Sequence, residues 1–127
     1  MREETDICFN QAEEDFKSID SLLKDKRYHG AVLFAQQAVE KILKAYIIEK
    51  NQKMPLKTHR IEKLIYEAHL DLKEIKNPNV VELSKAYTWV RYPDLSRKHF
   101  PTQQDAENLI QVANNVYLWI KQKLINN

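Results

Sequence analysis

The chain has 127 residues, a formal net charge of +2, one glycine, four prolines and one cysteine. That length predicts one domain, residues 1–127, burying roughly two-thirds of its unfolded surface. The lone Cys8 excludes an internal disulfide framework and fits a reducing cytoplasm, no apolar run nears the ~20 residues of a membrane span, and near-neutrality confines any attraction to phosphate to a local patch.

The chain opens Met1-Arg2-Glu3-Glu4-Thr5-Asp6, without the apolar core of a signal peptide. Cys8, Ala12, Phe16, Ile19 and Leu23 then form one stripe at helical spacing, predicting a first helix over about Thr5–Lys24. Ala31, Phe34/Ala35, Ala38, Ile42 and Ala45/Tyr46 predict a second over about Tyr28–Glu49. A third, short helix is expected near His59–Leu70, with Thr58 as N-cap and Ile61, Leu64, Ile65 and Ala68 turned inward. Asn77 before Pro78 reads as the cap and first position of a fourth helix, whose inner side carries Val80, Leu83, Tyr87 and Val90. The fifth opens at Thr102-Gln103-Gln104-Asp105, a capping box with Asp for Glu. Its stripe runs Ala106, Leu109/Ile110, Ala113, Val116/Tyr117, Ile120 and Leu124. No segment alternates with period two. The expected fold is all-α, an antiparallel up-and-down four-helix bundle with one additional short helix.

Between Pro93 and Pro101 the pattern stops. Arg91-Tyr92-Pro93-Asp94-Leu95-Ser96-Arg97-Lys98-His99-Phe100-Pro101 concentrates chemistry in a stretch that proline keeps out of helix. Alternating helices would bring it to the same end as Lys50, Lys53, Lys57, His59 and Arg60. The N-terminus of the fifth helix would point there too. Such an electropositive pole, with Tyr92 and Phe100 for stacking, suits RNA or a nucleotide. The plainer reading is that these charges only solvate loops. Tyr87, Trp89, Trp119, Leu118 and Ile125 exceed what one small core can take, which predicts a homodimer.

The run from Tyr28 to Tyr46, with Thr58-His59-Arg60-Ile61-Glu62-Lys63-Leu64 and Arg91-Tyr92-Pro93-Asp94, resembles the HEPN domain family over nearly the whole chain. The resemblance implies a small helical bundle that dimerises. It also implies either a metal-independent ribonuclease toxin paired with a minimal nucleotidyltransferase, or a non-catalytic module binding a nucleotide or that partner. No cofactor is implied.

The family's catalytic signature is an Arg followed, after about four to six residues, by a His, or by a Tyr in a related branch. Here seven residues separate Arg91 from His99. With that departure, the resemblance makes Arg91 the group that stabilises phosphorane charge and His99 the general acid or base. Tyr92, Asp94, Arg97 and Lys98 are candidate binding residues of the same loop. Gln37, Glu40 and Lys44 are candidates on the second helix, which lines the cleft in this family, and Gln37 or Glu40 could orient Arg91. Arg91 could alternatively bond helix-end carbonyls or pair with Asp94. His59, Glu62, Tyr66 and His69 fall on one helical face, yet no metal-ligand spacing occurs and no metal site is expected.

Overall fold

The computed structural model describes residues 1–92 and 102–126. Among these residues there are five α-helices and no strand: α1 Glu3–Lys24, α2 Tyr28–Tyr46, α3 Ile61–Glu67, α4 Val80–Arg91 and α5 Gln103–Ile125. Four long helices make the bundle and α3 is the short addition, as periodicity predicts.

The bundle is built around α2. Ten of its 19 residues are buried, and four of those ten are alanines, which let α1, α4 and α5 approach closely. The end of α2 continues as one wider π-type turn, Ile47–Asn51, that buries Ile47 and Ile48. Glu49 on that turn accepts the Arg2 backbone N–H and the Thr5 hydroxyl, both at 3.0 Å. Lys41 reaches Asp15 at 2.7 Å further along. The start of α1 therefore sits at the end of α2, and the pair is antiparallel. Phe16 of α1 and Tyr117 of α5 stack with centroids 4.0 Å apart, and the Tyr117 hydroxyl donates to Glu13. Burial pushes the Glu13 carboxyl up, but hydrogen bonds from Lys121 and Tyr117 outweigh it and leave Glu13 below the usual carboxylate range.

The second helix starts at Tyr28 as expected, and of the three starts given a cap from sequence one is as expected. Thr102 caps α5, its hydroxyl accepting the Asp105 N–H at 3.1 Å. The third helix begins later than expected. Thr58 closes a tight turn by accepting the Arg60 N–H at 3.1 Å, while the Ile61 N–H is taken by Ser84 of α4 at 2.7 Å. His59 is left off the helix, and His69 follows it in a left-handed conformation, so the expected face of His59, Glu62, Tyr66 and His69 does not form. The fourth helix also begins later. Lys76 and Asn77 both have positive φ, so Asn79 is the cap, its side chain accepting the Glu82 N–H at 3.2 Å. A short 3-10 turn, Leu72–Ile75, capped by Asp71, precedes it.

Candidate functional site

The polar residues of α2 do not stay on its solvent face. Gln36 is fully buried and Glu40 nearly so, one turn apart on a stripe otherwise given to Ala, Val and Ile. A buried carboxylate needs partners, and Glu40 has three. Gln36 Nε2 donates to Oε2 at 3.1 Å, Lys44 Nζ donates to Oε1 at 2.8 Å, and His59 Nδ1 lies 3.1 Å from both oxygens.

His59 gets there because the segment 52–60 does not end at the tip of α2. It runs back along the helix, and the His59 carbonyl accepts a second hydrogen bond from Gln36 Nε2 at 3.0 Å. Both Nε2 contacts are to acceptors, which sets the amide orientation. Gln36 Oε1 is then buried with no partner among the described residues. On its other side the imidazole lies flat against Tyr87 of α4, centroids 3.8 Å apart and planes 12° from parallel. Gln37, Glu40, Lys41, His59 and Tyr87 enclose a cleft of about 160 Å³. Lys41, half-buried and tied to Asp15, stands at its edge.

Of the residues expected to act, Gln37 and Glu40 line this cleft. Lys44 stands behind it, neutralising Glu40. Tyr92 follows α4 and is 59% exposed. Arg91 is the last residue of α4, one turn beyond Tyr87, and its side chain lies outside what is described. Asp94, Arg97, Lys98 and His99 also lie outside the described residues. Two cations expected at an electropositive pole are paired: Lys53 with Glu67 at 3.5 Å and Arg60 with Glu62 at 3.1 Å. Among the described residues no three His, Cys, Asp or Glu side chains come together as metal ligands.

Gln36 is the functional candidate that sequence reasoning missed, and His59, which it placed only in a basic pole and on a helical face, stands instead against Glu40 and Tyr87. The signal for Gln36 was present, as a polar residue on a buried stripe with Glu40 four residues on. For His59 no spacing rule applies, because its position depends on how 52–60 folds back.

The arrangement offers a carboxylate-backed imidazole, an aromatic face and two lysines beside the end of α4. Those groups suit proton transfer near a phosphate. Among the described residues no helix is long and apolar enough to cross a membrane. The family model described as HEPN domain matches residues 5–124. Comparison with curated proteins and with solved structures gives no match.

Proposed function

We propose, from the premise that this chain belongs to the HEPN family, that it is the toxin-type member of a HEPN–nucleotidyltransferase pair and cleaves RNA without a metal. The supporting observation is the polar cleft of Gln37, Glu40, Lys41, His59 and Tyr87, set one helical turn before Arg91. In this reading a second copy completes the cleft. Arg91 stabilises charge on the phosphorane by bidentate contact, and His99 moves a proton at the 2′-OH or the leaving oxygen. Tyr92, Asp94, Arg97 and Lys98 hold the RNA. The test is cleavage of RNA by the purified protein in EDTA.

One observation favours a second reading. Seven residues separate Arg91 from His99, more than the family's catalytic spacing. A non-catalytic module would use the same cleft to bind a nucleotide or the nucleotidyltransferase partner. Retained nucleotide binding without cleavage distinguishes it.

A further inference from the structure

We propose that His59 is the general base of this cleft, taking the proton of a ribose 2′-OH; the inference rests on the RNA-cleaving reading above. An ionised carboxylate only accepts hydrogen bonds, so the His59 Nδ1 that faces both Glu40 oxygens at 3.1 Å carries the hydrogen. In the neutral ring the lone pair is then on Nε2. Among the described residues Nε2 has no hydrogen-bond partner, and the side chain is 52% exposed at the cleft.

The ring is also held. Tyr87 stacks on one face, Gln36 holds the His59 carbonyl, and Glu40 is fixed by Gln36 and Lys44 before any ligand arrives. A base oriented by a carboxylate that is itself oriented is the general form of an activated proton acceptor. Among the described residues, the charged and titratable groups around the ring are Glu40, Lys41 and Lys44 from α2, Tyr87 from α4, Arg60 from its own segment and Glu62 from α3. Glu40 stabilises the imidazolium as it forms. Lys41, at the cleft edge, opposes the phosphate charge.

The step closes in atoms and electrons. The 2′-oxygen bonds to the adjacent phosphorus as its proton passes to Nε2. The bond from phosphorus to the 5′-oxygen breaks, and that oxygen leaves with the electron pair and takes a proton from His99, the leaving-oxygen role of the reading above. The His59 imidazolium then gives its proton to solvent, and His99 recovers one from solvent. The products are a 2′,3′-cyclic phosphate and a 5′-OH.

The experiment is cleavage of an RNA oligonucleotide in EDTA by the full chain and by His59→Ala and His59→Gln, with thermal unfolding recorded for each. Both variants should lower kcat by about 10²–10⁴-fold while still unfolding cooperatively. Added imidazole should restore rate to His59→Ala in proportion to its concentration, which a merely structural role would not allow. Wild-type kcat in His59→Gln overturns the assignment and leaves the RNA-cleaving reading intact. So does a slow His59→Ala that imidazole fails to restore. A wild-type protein that cleaves no RNA overturns both together.

Discussion

Ser84 of α4 accepts the backbone N–H of Ile61 at 2.7 Å and donates to Glu62 at 2.7 Å, so one helix caps the first turn of another. Ordinarily that role falls to a residue just before the helix. Here the neighbouring Thr58 is occupied by Arg60, and the cap is borrowed across the fold. This contact pins the end of segment 52–60, and with it His59, against α4.

Ser84→Ala leaves the buried Ile61 N–H without an acceptor. A loss of about 1–3 kcal/mol is expected, read as a lower midpoint in urea with an unchanged slope. An unchanged midpoint would mean that Thr58 or water takes over the cap.

Stability should fall in acid through Glu13. Its carboxyl is held below the usual range in the fold, burial opposing and the Lys121 and Tyr117 hydrogen bonds prevailing. A depressed folded value means stability is present in full above the unfolded carboxyl range, near pH 4.3. It is lost as pH drops through the lower folded value. Glu62 adds in the same direction, burial again opposing and the Ser84 hydrogen bond among those prevailing. Urea unfolding at pH 7 and pH 3 should show the loss, and Glu13→Gln should make it smaller. Equal acid sensitivity in Glu13→Gln would assign the loss elsewhere.

The turn between α1 and α2 closes with Arg27 N–H on the Leu22 carbonyl at 2.8 Å and Lys26 N–H on that of Leu23 at 3.0 Å. Lys26 stands at φ 58, where helices commonly carry glycine. Lys26→Gly removes the side-chain clash of that conformation, roughly 1–2 kcal/mol, partly offset by the freedom glycine gains when unfolded. The melting temperature should rise by a few degrees. A fall would show that the lysine stem packs on the turn.

Leu118 and Ile125 are each 54% exposed on α5, and the neighbouring Trp119 is half-buried. Pairing of two copies through this face predicts about twice 15.1 kDa by light scattering at micromolar protein. A monomer at high concentration would remove the shared cleft from the proposed function.

The helices were legible because their stripes are long. Ala106, Ile110, Ala113, Val116, Tyr117, Ile120 and Leu124 are all buried as spacing predicts. Helix starts were legible only where the cap is local, as at Thr102. Asn77-Pro78 imitates a cap, but the left-handed pair Lys76 and Asn77 puts the start two residues on, at Asn79. For the site, Gln37 and Glu40 were legible on α2. His59 was not, because its contacts to Glu40 and Tyr87 span 19 and 28 residues of sequence (59 − 40 and 87 − 59) and no local rule carries them. Arg91 is the last residue of α4. Asp94, Arg97, Lys98 and His99 stand beyond the described residues.

The central claim is metal-independent cleavage of RNA, and end-group analysis of an RNA digest in EDTA tests it most directly. Cleavage should persist and leave 2′,3′-cyclic phosphate ends. Arg91→Ala should cost about 3–4 kcal/mol of transition-state stabilisation, as a lost oxyanion donor does. His99→Ala should slow the rate about 10²–10⁴-fold. Wild-type rates in both substitutions would move the chemistry away from this loop, and activity abolished by EDTA would contradict the account.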